Sequence, residues 1–155
     1  MLSFWKKYKS LILNIALPLA VGLVSGLLTM GAMEDFSSLN QPPLSPPGWL
    51  FPVVWTILYA LMGVSSWRIR RIDRQAPSLT AYMVSLVFNF FWSIIFFDFE
   101  WYIVAFIWLI VLWVLILVTA ILFYKLSKTA GYLMLPYLIW VTFAGYLNFS
   151  IYLLN

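Results

Sequence analysis

Trp55 and Tyr59 stand four residues apart in one apolar run, Asn89 with Trp92 and Ser93 in a second, and Trp140, Ala144 and Asn148 in a third. Steps of three and four put each set on one face of a helix. The stripes extend to Pro52, Met62 and Ser66 in the first of these runs, to Tyr82, Ser85 and Phe96 in the second, and to Tyr137 and Tyr152 in the third. Indole and phenol rings offer flat apolar surface with one polar handle each, and a carboxamide offers donors and an acceptor together. That set suits the capture of a hydrophobic small molecule. Nucleophilic and metal-centred chemistry has little to work with, because the chain has no Cys and no His. Thiolate nucleophiles, disulfides, a Ser-His-Asp triad, zinc sites and the usual haem ligands are removed together. A phosphate-cradling glycine loop and an EF-hand loop are also absent. Facing lipid, Asn89 and Asn148 would leave amide groups unpaired, so both are expected to turn inward. Two readings stay open for them: interhelical hydrogen bonds of roughly 0.6–2 kcal/mol each, or contact with a ligand.

The elements that carry these stripes follow from composition. With 65% hydrophobic, 20% aromatic and 9% charged residues, the chain lacks the polar surface that a 155-residue globule needs in water. Charged residues divide it into five apolar runs, approximately 11–33, 46–67, 78–97, 101–124 and 129–154. Each reaches the roughly 20 residues a helix needs to cross the hydrocarbon, and none alternates as a barrel strand would. The expected fold is all-α, a single domain over residues 1–155 made of five transmembrane helices in sequential arrangement. The first run is too long for the h-region of a secretory signal, so a retained first helix and a mature protein beginning at Met1 are expected.

Every Lys and Arg lies before the first run (Lys6, Lys7, Lys9), between runs two and three (Arg68, Arg70, Arg71, Arg74) or between runs four and five (Lys125, Lys128). Glu34, Asp35, Asp98 and Glu100 occupy the other two loops, and Asp73 alone joins the arginines. The positive-inside rule then predicts a cytoplasmic N-terminus and an outer C-terminus. Topology accounts for the net charge of +4, and nucleic-acid binding is not expected. No run keeps a charge near its middle, which disfavours ion-driven transport.

Pro42, Pro43, Pro46 and Pro47 make a stiff extended loop before the second run. Ser45 as N-cap and Pro46 as first helical residue would begin that helix, leaving a rigid rim over an aromatic-lined pocket. Pro52 and Pro136 are expected to bend their helices. In the first run Pro18, Gly22, Ser25, Gly26 and Thr29 form a small-residue face expected to pack against protein. Trp101, Trp108 and Trp113 read as lipid-facing or interfacial anchors, and Trp5, Trp49 and Trp67 fit an interfacial belt.

Three ordered blocks carry a resemblance. They are Pro42-Pro43-Leu44-Ser45-Pro46-Pro47-Gly48-Trp49 with Phe51-Pro52-Val53-Val54-Trp55-Thr56-Ile57-Leu58-Tyr59 and Ala60 to Gly63, then Asn89 to Phe97, then Leu135 to Asn148. Together they resemble the tryptophan-rich sensory protein family, also called the translocator protein or peripheral benzodiazepine receptor family (TspO/MBR). The resemblance implies a five-helix bundle, commonly a homodimer, that binds porphyrins such as protoporphyrin IX and haem as ligands, with no cofactor required. It implies a pocket of Pro46, Trp55, Tyr59, Asn89, Trp92, Ser93, Trp140, Ala144 and Leu147, with Asn148 beside them and the proline loop as cover. It further implies a multi-pass protein of a bacterial plasma membrane, acting in tetrapyrrole transport or regulation as a receptor or sensor. Some members promote light-dependent porphyrin breakdown, for which Trp55 and Trp140 are the catalytic candidates, since an excited porphyrin can oxidise a nearby indole. A scaffold with secondary ligand binding is the third alternative. Gln41 and Leu44 replace the family's frequent lysine and tryptophan. Phe149 stands in the tyrosine position of a cholesterol-recognition motif, and no basic residue follows Lys128.

Overall fold

The computed structural model describes residues 2–155, and at residues 2–4, 6, 7, 33 and 34 the backbone only. Met1 and the side chains of Lys6, Lys7 and Glu34, used above for the chain start and the charge pattern, lie outside the described residues. The helices are α1 Leu2–Leu28, α2 Met30–Phe36, α3 Leu50–Ile72, α4 Pro77–Ser93 with a π-helical turn Ile94–Asp98, α5 Tyr102–Leu126 and α6 Lys128–Leu154. Five segments are long and apolar enough to span a bilayer: Tyr8–Leu28, Leu50–Ile72, Pro77–Asp98, Tyr102–Leu126 and Lys128–Leu154. The chain is an all-α, multi-pass membrane protein.

Three features differ from expectation, each for a local reason. The first apolar run divides after Leu28, where the Thr29 hydroxyl donates to the Ser25 carbonyl at 3.0 Å, a back-bond that bends helices. Next, α3 begins at Leu50 instead of Pro46. The α region is disfavoured for a residue before proline, which weighs against Pro46, followed by Pro47, as the first helical residue, and the first turn closes with Leu50 N–H to Pro47 O at 2.9 Å. Ser45 caps nothing: its hydroxyl donates to Gln41 Oε1 at 3.1 Å. Third, Pro52 sits in the first turn of α3, where its missing amide costs no helical bond.

Around the bundle the order is α1, α3, α6, α5, α4 and back to α1, rather than sequential. Close approach selects the neighbours. A Cβ on Gly63 would lie 2.5 Å from Ile15 Cα and 2.7 Å from Asn14 O, so α1 and α3 meet backbone to backbone. Interhelical polar contacts tie the rest: Ser65 Oγ donates to Ala130 O at 2.7 Å, Trp108 Nε1 to Phe88 O at 2.7 Å and Trp113 Nε1 to Thr142 Oγ1 at 2.8 Å. Trp108 and Trp113 are therefore helix ties and not free lipid anchors, because a buried indole N–H in hydrocarbon needs a partner. Trp101 is exposed. Trp67, expected at the interface, is buried with the Arg71 guanidinium 4.9 Å over its ring.

The loop at residues 37–49 is anchored to α6. Asn40 N–H donates to Asn155 Oδ1 at 2.9 Å, Asn155 Nδ2 to Asn40 O at 3.1 Å and Tyr146 OH to Pro43 O at 2.8 Å. In Asn155→Ala, amide exchange at Asn40 should speed up about fivefold to tenfold, one hydrogen bond's worth, with exchange along α4 unchanged by mass spectrometry.

A candidate ligand cavity in one half of the bundle

The last half of α1, the first turns of α3, the end of α4 and the last half of α6 surround a cavity of about 570 Å³. Its size falls within the roughly 300–1,000 Å³ of small-molecule pockets. Among the described lining residues none is charged. Trp55, Tyr59, Trp92, Ser93, Trp140, Ala144, Leu147 and Asn148 all stand in its wall. Trp55 stacks on Tyr59, with ring centroids 5.4 Å apart and planes at 28°, and meets Tyr137 edge-on at 6.0 Å. Trp140 is held edge-on by Phe51 at 5.9 Å. Its Nε1 is buried and has no hydrogen-bond partner.

Asn89 and Pro46 are placed elsewhere. Asn89 lies behind the wall, its Oδ1 accepting from Tyr59 OH at 2.7 Å and its Nδ2 donating to Tyr137 OH at 2.8 Å. It joins α3, α4 and α6 at the floor, and both its polar atoms are already engaged. Pro46, itself half-buried in a largely exposed loop, is not among the residues of the wall. Asn148 serves both readings, since it borders the cavity while accepting from Trp92 Nε1 at 3.2 Å and donating to Tyr102 O at 2.7 Å. These bonds fix the Trp92 ring, which stacks on Phe96 at 5.3 Å.

Sequence reasoning missed the contribution of α1 and α2. The small-residue face of α1 packs on protein only in part: a Cβ at Gly22 would collide with the Tyr59 ring, whereas one at Gly26 would meet nothing within 4 Å. Ser25, Gly26 and Thr29 border the cavity. Phe36 of α2 closes one end against Phe96 and Phe97, at 5.8 and 5.5 Å. The π turn, closed by Phe99 N–H to Ile94 O at 3.1 Å, lets the consecutive Phe96 and Phe97 both line the wall. Such turns gather at functional sites, but nothing in the sequence marks one. The unbroken small-residue spacing of Gly22, Ser25, Gly26 and Thr29 was the available sign that α1 leaves room for something.

Comparison with known proteins agrees with the architecture. A sequence model described as the TspO/MBR family matches residues 14–154. The chain is 35% identical to the tryptophan-rich protein TspO of Chlorobaculum tepidum, over 97% of this chain and 98% of that one. It is 37% identical to the tryptophan-rich sensory protein of Cereibacter sphaeroides, over 82% and 83% of the two chains. To the translocator protein of Bos taurus it is 30% identical, over 88% and 84%. With five spanning helices, an aromatic cavity among them and similarity along nearly its whole length, the chain belongs to the TspO/MBR family.

Proposed function

We propose that this protein is a membrane receptor that binds porphyrins, such as protoporphyrin IX or haem, or related flat hydrophobic molecules in the aromatic cavity, in the service of tetrapyrrole sensing or transport. The observation that carries the reading is the uncharged cavity of about 570 Å³ whose wall holds the Trp55, Tyr59, Trp92 and Trp140 rings. The flat ring surface of such a ligand would stack on Trp55 and Trp140. No cofactor is required for binding. Positive-inside topology supports a cytoplasmic N-terminus, which puts the cavity in the outer half of a bacterial plasma membrane. Family membership favours a homodimer, to be read from the mass of the protein in nanodiscs.

Titration with protoporphyrin IX in darkness should quench tryptophan emission saturably. Trp140→Phe shrinks the aromatic face offered to the ligand, so its affinity should fall about fivefold. Absence of saturable quenching overturns the reading in favour of a scaffold. A second reading, light-dependent porphyrin breakdown, draws on the Trp55, Tyr59 and Tyr137 rings in contact, which would share an oxidising equivalent. It requires loss of the porphyrin spectrum under illumination that Trp55→Phe or Trp140→Phe abolishes.

A further inference from the structure

We propose that the cavity exchanges its ligand sideways with the hydrocarbon of the bilayer, through a gap between α1 and α3 whose threshold is Gly26. The proposal rests on the cavity being a ligand site, as argued above. Successive positions on one face of α1 record how the two helices part. At Ile15 the backbone of α1 touches Gly63 of α3; at Gly22 the Tyr59 ring fills the space; at Gly26 an added Cβ would meet nothing within 4 Å. Pro18 lies between the first two contacts and, lacking an amide, leaves the Asn14 carbonyl without its helical bond. α1 is thus clamped to α3 at one end and released toward the other.

The gap faces lipid. Leu23 and Leu27 line the cavity and yet are 63% and 60% exposed, and Thr56 across the gap on α3 is also both exposed and in the wall. Leu23 and Thr56 lie roughly 8 to 9 Å inside the ends of their helices at 1.5 Å per residue, within the acyl-chain layer. Toward the end of the bundle, aromatic side chains and a tethered loop are found instead. Phe36 covers Phe96 and Phe97, and the loop above is fastened to α6 through Asn40 and Pro43. A hydrophobic ligand already dissolved in the bilayer therefore has a short path through the side.

The absence of cysteine makes a clean test. Gly26→Cys and Leu23→Cys place single thiols at the gap, and Leu28→Cys places one on the same helix outside the wall. Each is capped with N-benzylmaleimide in phosphatidylcholine nanodiscs, and protoporphyrin IX binding is followed by stopped-flow quenching. Capping at Gly26→Cys or Leu23→Cys is expected to slow both association and dissociation by about tenfold or more. Capped Leu28→Cys should match the uncapped protein. Unchanged rates after capping at both gap positions overturn the proposal.

A second readout does not depend on porphyrin. Phosphatidylcholine brominated on its acyl chains should quench the Trp55 emission, taken as the difference between wild type and Trp55→Phe, and capping Gly26→Cys should protect it. Failure of the brominated chains to quench Trp55 in the uncapped protein overturns the gap. Failure of protoporphyrin to bind overturns the proposed function and leaves the brominated-lipid result to decide the gap by itself.

Discussion

Gly63→Val should separate α1 from α3 and produce the largest loss of stability of any single substitution considered. The first added carbon would lie 2.5 Å from Ile15 Cα and 2.7 Å from Asn14 O. These are backbone atoms, so no rotamer change can relieve the clash. Overpacking usually costs about 1–3 kcal/mol where side chains can adjust, and here the whole helix must move, so the cost should sit at or above the top of that range. Reversible unfolding in SDS measures it. Because α1 supplies one side of the cavity, protoporphyrin quenching should disappear in the same variant. Gly26→Ala is the matched control: its Cβ meets nothing, and alanine is the better helix former by about 1 kcal/mol, so stability should hold or rise slightly. Equal destabilisation by the two substitutions would show that the approach of α1 to α3 does not depend on Gly63.

Asn89→Leu is expected to have the second largest effect. The carboxamide makes two short bonds to the Tyr59 and Tyr137 hydroxyls, all three groups being buried. Leucine is close in volume, so the change removes the bonds and leaves little cavity. Interhelical hydrogen bonds in membranes are worth roughly 0.6–2 kcal/mol each, which puts the loss of two at about 1–4 kcal/mol. The double change Tyr59→Phe with Tyr137→Phe deletes the stranded hydroxyls, so adding it to Asn89→Leu should recover part of the stability. No recovery would mean that the asparagine acts through packing. The ligand should feel Asn89→Leu only indirectly, through a loosened Tyr59 ring, and a Kd change larger than that of Trp140→Phe would place Asn89 at the ligand itself.

The five spans, their limits to within several residues and the inward stripes of α3, α4 and α6 were legible because each depends on neighbours in sequence. Charges interrupt apolar runs, and a period of 3.6 assigns residues to faces. Trp55, Tyr59, Trp92, Ser93, Trp140, Ala144 and Asn148 were gathered correctly as faces for that reason, and the tertiary structure brings them to one wall. Periodicity does not say what a face meets. Asn89 shares a stripe with Trp92 but lies one turn deeper, where two tyrosyl hydroxyls consume its hydrogen-bonding capacity. Trp108 and Trp113 looked like lipid anchors because α5 has so few polar residues, yet their partners are a backbone carbonyl of α4 and a threonine of α6.

The amino-acid sequence by itself determined the solvent, the number of spans and the aromatic character of the inward faces, since hydropathy, charge placement and helical period are properties of the local chain. The tertiary structure alone decided the order of helices around the bundle, the start of α3 after its prolines, the place of Asn89 beneath the wall and the opening beside Gly26. Each of these turns on how closely two backbones approach, and that distance is set by pairs of residues far apart in the chain, as Gly63 with Ile15 and Gly22 with Tyr59 show.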